Sequence, residues 1–100
     1  MPELVKFSDQ DCGTCARMDK IDQKVCDELG VNLIKVLIQD IDQYATYRHV
    51  LLAHSPDLED IGFPTYLLVD SATNLDPEIK GTIRGGMDKG GFRRALQKWL

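Results

Sequence analysis

Residues 4–8 (Leu4-Val5-Lys6-Phe7-Ser8) and 31–38 are short apolar-rich segments, and between them Met18, Ile21, Val25 and Leu29 recur at helical spacing. A strand, a helix and a second strand in that order constrain the fold more than any other feature of the chain. Such a unit closes as a right-handed crossover between two parallel strands. Gly30 supplies a stop for the helix, since glycine takes the left-handed conformation that ends helices. Further on, Asp40 or Asp42 can cap a second helix with Tyr44, Tyr47, Val50 and Leu51 on its apolar side, and Ser55-Pro56-Asp57 ends it. Residues 65–69 and 79–84 read as two more strands, joined by the polar turn 70–77 and therefore antiparallel. Gly85-Gly86 breaks the last strand, and Asp88 can cap a final helix whose Phe92, Ala95, Leu96, Trp99 and Leu100 form one stripe. The expected architecture is α/β: one domain over residues 1–100, a four-stranded mixed sheet flanked by three helices, in the order β-α-β-α-β-β-α.

Apolar residues make up 43% of the chain and charged ones 28%, the balance of a folded domain. The net charge of −4 argues against nucleic acid, whose phosphates need a cationic surface. Met1-Pro2-Glu3 is unlike a basic secretory leader, and no apolar run reaches the length of a membrane span. The expectation is a cytoplasmic protein with no membrane contact. Three cysteines, an odd number, do not suit the disulfide framework of a secreted scaffold.

Two of those cysteines carry the chemistry. Cys12-Gly13-Thr14-Cys15 lies where the first strand gives way to the first helix. Residues three apart at a helix start share neighbouring surface, which suits a disulfide with Cβ atoms about 4 Å apart. The free N–H groups there favour a thiolate, the species that attacks disulfides. Cys12 should be the outer, attacking sulfur and Cys15 the inner, resolving one. A pair with this spacing is also half of a zinc site. Cys26, His49 and His54 are the other soft ligands, and they form no second close-spaced pair to complete a tetrahedral set. No metal is expected. Cys26 lies about 16 Å from Cys15 along a continuous helix, too far to bridge, and reads as a buried structural thiol. His49 and His54 read as structural or surface residues, and Arg93, Arg94 and Lys98 as a solvated helix face.

With these motifs in place the chain resembles the thioredoxin family over nearly all its length. The resemblance rests on three blocks: Cys12-Gly13-Thr14-Cys15 after a strand, Gly62-Phe63-Pro64-Thr65 before Tyr66-Leu67-Leu68-Val69, and Ile83-Arg84-Gly85 with Asp88-Lys89-Gly90 before an amphipathic helix. Ile41-Asp42-Gln43 is a weaker echo. The resemblance implies that Pro64 is cis and faces the cysteine pair. It implies that the backbone of Phe63 pairs with a substrate chain as an added strand, with Gly62 and Gly85 letting that chain approach. It further implies reduction or exchange of protein disulfides by Cys12 and Cys15, with no cofactor beyond their own redox-active disulfide. A thioredoxin reductase or a small thiol would supply electrons to a monomeric protein.

Several positions depart from the family pattern. Asp11 stands where an aromatic residue usually precedes the first cysteine, and Thr14 where proline is usual. Lys6 occupies the place of a buried aspartate thought to help deprotonate the second cysteine. The strand and helix that open the full-length fold find no counterpart in the eleven residues before Cys12, and residues 43–62 form a longer stretch than usual. Asp9 and Asp11 would disfavour a Cys12 thiolate if close, and Lys6 would favour one if its ammonium reaches the site. The alternative is that all three charges are simply solvated. Lys6 fits that alternative least well, because its strand should be central. Gly85-Gly86 with Asp88 also resembles the glutaredoxin branch. Two other readings therefore stay open: a glutathione-dependent oxidoreductase, and a protein-binding module with an idle cysteine pair.

Overall fold

The computed structural model describes residues 2–58 and 61–100. Its elements are β1 (Glu3–Ser8), α1 (Gly13–Met18), α2 (Asp22–Leu29), β2 (Asn32–Leu37), α3 (Ile41–His54), β3 (Thr65–Val69), β4 (Ile79–Arg84) and α4 (Lys89–Gln97). The four strands form one sheet in the order β2-β1-β3-β4. β1 and β2 are parallel, and the other two pairings are antiparallel. The inner strands β1 and β3 are buried on both faces, which is why they read as nearly unbroken apolar runs.

The sheet separates two cores. On one side Leu4, Tyr66, Leu68 and Ile83 pack against Met18 of α1, Val25 and Cys26 of α2, and Phe92 and Leu96 of α4. On the other side Val5, Phe7, Val36, Leu67 and Val69 pack against Val50 and Leu51 of α3. Each fully buried large apolar side chain contributes about 1.5–3 kcal/mol. Tyr44 and Tyr47 are only partly buried against that second core. The stripe on α4 stops short of its expected end: Leu100 is 52% exposed.

Local signals set the element ends. Asp40 accepts a hydrogen bond from Gln43 N at 3.1 Å, and Asp88 from Gly91 N at 2.7 Å, so each caps its helix. Gly30 ends α2 at φ 70°. Gly81 in β4 lies directly beneath the Trp99 ring, where any Cβ would overlap the indole.

The expected first helix is in fact two. α1 ends at Met18 and α2 begins at Asp22. Between them Lys20 N donates to Arg17 O at 3.3 Å and Ile21 N to Met18 O at 3.0 Å. These bonds skip three residues instead of four, so the chain tightens into a 3₁₀-like turn. The tightening occurs where Asp19 and Asp22 both turn in to Lys6. Periodicity does not report it, because Met18, Ile21 and Val25 still face the same core. Glu59 and Asp60, within the long 43–62 stretch, lie outside the described residues.

Candidate active site

Cys12 is the N-cap of α1, in extended conformation at φ −99° and ψ 105°. Its Sγ accepts from Cys15 N at 3.0 Å, and it is joined to Cys15 in a disulfide with Cα atoms 5.2 Å apart. A sulfur in the capping position sits where a developing thiolate meets a backbone donor. Cys12 is half-buried, whereas Cys15 is only 4% exposed. Cys12 is thus the more accessible sulfur of the two. Gly13 is exposed, with open space around it.

The loop before β3 closes over the pair. The Phe63–Pro64 bond is cis, and the Phe63 carbonyl oxygen lies 3.6 Å from Cys12 Sγ. Phe63 packs partly against the α3-side core. Thr65 Oγ1 donates to Gly62 O, which ties the loop to the first residue of β3. On the far side of Pro64, Gly85 N donates to Pro64 O at 2.9 Å, and Gly85 takes φ 78°, a left-handed conformation that favours glycine. Gly86 is packed under Thr14 Cγ2 and the Arg17 guanidinium, leaving no room for a Cβ. The structure thus gathers Cys12, Cys15, Thr14, Phe63, Pro64 and Gly85 into one place, with Gly62 at the loop's outer end.

The acidic residues before the pair organise a turn. Cys12 N donates to Asp9 O at 3.1 Å, and Asp11 N to Asp9 Oδ1 at 2.9 Å. The Asp11 side chain is exposed, so its charge acts on the sulfur through water and only weakly.

Lys6 is different. It is completely buried, which overturns the solvated alternative for this residue. Its ammonium donates to Cys15 O at 3.1 Å, to Asp19 Oδ1 at 2.6 Å and to Asp22 Oδ2 at 2.7 Å. It also lies 5.6 Å from the centroid of the Tyr66 ring. A lysine has three N–H donors, and these three acceptors use them all. Asp22 is fully buried too, and its Oδ2 also accepts from Tyr66 Oη at 2.9 Å. Lys35 on β2 completes the cluster, 3.1 Å from Asp19 Oδ1 and 3.4 Å from Asp22 Oδ1. That second contact is an ion pair without hydrogen-bond geometry, and it leaves Asp22 Oδ1 with no hydrogen-bond donor among the described residues.

The cluster's charges are mutually supporting. Burial alone would raise the Asp19 carboxyl, but the hydrogen bonds from Lys6 and Lys35 outweigh it and hold the group below its usual value. Lys35 is likewise held above its usual value: its partial burial pulls downward, and Asp19 and Asp22 overcome it. Tyr66 is pushed up by burial and by the Asp22 charge. Cys26 is pushed up to about 12, first by burial and then by Asp22 and Asp27.

In three dimensions the chain superimposes on a thioredoxin-2 described as a component of the malaria parasite's protein secretion machinery. The TM-score is 0.67 at 14% identity, over 98% of this chain and 82% of that one. A second malarial protein superimposes with TM-score 0.67 at 15% identity, over 100% and 98% of the two chains. This chain has the thioredoxin fold. No family model matches its sequence, and a search of curated proteins returns no relative.

Within the thioredoxin fold, sequence reasoning missed Asp19, Asp22, Lys35 and Tyr66. One signal was available: Asp19 and Asp22 are three apart on a helical stretch, and so face the same way. Elsewhere, His49 Nε2 lies 2.6 Å from Ala72 O, a structural contact. A cavity of about 510 Å³ lined by Pro2, Leu29, Leu68, Asp70, Lys80 and Trp99 shares no residue with the site. No helix among the described residues is long and apolar enough to cross a membrane.

Proposed function

We propose that the chain is a thiol–disulfide oxidoreductase that reduces or exchanges protein disulfides through Cys12 and Cys15. The observation that carries this is the bonded pair at the head of α1, with the Phe63 carbonyl 3.6 Å from Cys12 Sγ. The thioredoxin fold and the geometry around Pro64 support it.

In the reduced protein the Cys12 thiolate attacks one sulfur of a substrate disulfide. A mixed disulfide forms and the other substrate sulfur leaves as a thiolate. Cys15 then attacks Cys12 Sγ, releasing the second substrate sulfur and closing the Cys12–Cys15 bond. Two electrons pass from the dithiol to the substrate, and the two thiol protons end on the substrate sulfurs by way of solvent. The substrate backbone would run along Phe63 and Pro64 as an added strand, with Gly62 and Gly85 leaving it space. No bound cofactor enters these steps. A reductase of the thioredoxin reductase type, or a small thiol, returns the electrons. The setting we propose is a cytoplasmic monomer acting on disulfide-containing proteins, with no part for nucleic acid or membrane. The glutathione-dependent reading draws no support from Asp88, whose carboxylate is engaged in capping α4.

The test is reduction of a protein disulfide by dithiothreitol, with and without the chain. We expect acceleration that disappears with Cys12→Ser. Equal rates with the folded wild type and the variant would remove this reading in favour of a binding module.

A further inference from the structure

We propose that the buried Lys6 ammonium is the counter-charge for the Cys15 thiolate, and so a positioning residue for the resolving step. This rests on the oxidoreductase reading above and names what makes its second half possible.

Cys15 is almost fully buried. Burial disfavours a thiolate unless a positive charge stands nearby. Yet Cys15 must become a thiolate to resolve the mixed disulfide. Its SH gives its proton to solvent, and its sulfur forms a bond to Cys12 Sγ. The bond from Cys12 to the substrate breaks, and the departing substrate thiolate takes up a proton. Lys6 is a charged group in direct contact with the main chain of Cys15, donating to its carbonyl at 3.1 Å. It is held still by Asp19 and Asp22, and no part of it reaches solvent.

The groups facing Lys6 come from every neighbouring element. Asp19 lies in the turn after α1, Asp22 on α2, Lys35 on β2 and Tyr66 on β3. Cys26, on α2, feels the Asp22 charge. Two lysines balance two aspartates, so with Lys6 in place the cluster sets no net negative charge beneath Cys15. Replacing Lys6 by an apolar residue leaves two carboxylates against Lys35 alone, and a Cys15 thiolate would then be repelled. Neutralising Asp22 does the reverse and leaves Lys6 less compensated. An electrostatic role therefore gives the two replacements opposite signs. A merely structural role loosens the same cluster in both and gives them the same sign.

The experiment measures the pH dependence of Cys15 alkylation by iodoacetamide in a Cys12→Ser background, with the modified residue mapped by mass. Lys6→Met should raise the apparent pKa of Cys15 by roughly one unit, and Asp22→Asn should lower it by a similar amount. In the two-cysteine protein at a pH where the thiolates form, Lys6→Met should make the pair more reducing. A tenfold change in the exchange equilibrium with glutathione corresponds to about 30 mV. If Lys6→Met does not fold, Lys6→Gln, which keeps an N–H donor for the Cys15 carbonyl and the aspartates but carries no charge, carries the decision: a Cys15 pKa that is not raised in it overturns the proposal. Shifts of the same sign, or no shift in either, overturn the proposal. Alkylation needs no disulfide substrate, so this result is independent of whether the chain reduces one.

Discussion

On the α3 side of the sheet, Val5 and Phe7 of β1 stand beside Val36 of β2 and Leu67 and Val69 of β3, a largely apolar surface without charges at its centre among the described residues. On the other side the same three strands place Lys6 next to Lys35 and next to Tyr66 in strict register. Like charges on adjacent strands repel. Here they are tolerated because Asp19 and Asp22 reach in from the turn between α1 and α2 to lie against both. The α3 face is held by the area removed from water. The opposite face combines an apolar core of its own, with Leu4, Leu68 and Phe92, and a cluster of charges set into it. The cysteine pair is on the second of these faces, through the contact of Lys6 with Cys15. The chemistry proposed for that pair creates and removes a charge, and the pair sits against neighbours that respond to charge.

The sharpest way to break this comparison is to delete a charge and a hydrocarbon from matched depths. Asp22→Ala leaves Lys6 and Lys35 beside each other with Asp19 between them, takes away the buried partner of both, and removes the acceptor of Tyr66 Oη. Breaking a buried ion pair by removing one partner costs about 3–5 kcal/mol, and the loss should appear as a lowered midpoint in urea unfolding. It should also depend on salt, since added anions partly replace the missing carboxylate. An Asp22→Ala protein as stable as the wild type would mean that the charges add nothing to the apolar core of that face.

The matching change on the other face is Leu67→Ala, at a fully buried position. Its cost should be about 2–5 kcal/mol, set by the hydrocarbon lost and the cavity left. Unlike Asp22→Ala, it should be insensitive to salt and should leave the Cys15 alkylation profile unchanged. A shifted profile with Leu67→Ala would show that the two faces are coupled through the sheet and that the comparison is too simple.

The sequence made one of these faces far easier to read than the other. Apolar periodicity and caps located all four strands, with residues 65–69 and 79–84 coinciding with β3 and β4. The cysteine pair and the Gly62-Phe63-Pro64 loop were legible because they are local motifs. The charged cluster was not, since it depends on which residue of β2 lies beside Lys6, and register is set by long-range packing. What could be read was a conflict: a lysine inside a strand that should be central. Such a residue needs acidic partners, and the half-exposed Asp19 and the buried Asp22 become those partners only once α1 and α2 are folded onto β1. The split between those helices was hidden for the same reason, because a tightened turn preserves the apolar spacing around it.

The smallest expected effect concerns pH. Cys26 and Tyr66 both belong to the core on the cysteine side. Cys26 rises from an ordinary 9.0 to about 12 in the folded protein, and Tyr66 is also raised. Between those two Cys26 values the unfolded chain has lost a proton that the folded one keeps. Stability contributed by the neutral thiol is therefore complete below pH 9 and falls as pH rises from there toward about 12. Each group contributes a slope of about 1.4 kcal/mol per pH unit within its window, with Tyr66 joining above its ordinary value of 10.0. Urea unfolding from pH 8 to pH 10 should show the decline, and Cys26→Val should flatten the part between pH 9 and 10. Leu67→Ala, whatever its own cost, should keep the wild-type slope, because no proton on the α3 face changes hands at that position. If Cys26→Val leaves the decline between pH 9 and 10 intact, the thiol in the core beneath the charged face is not its source, and the alkaline sensitivity does not distinguish the two faces at this position.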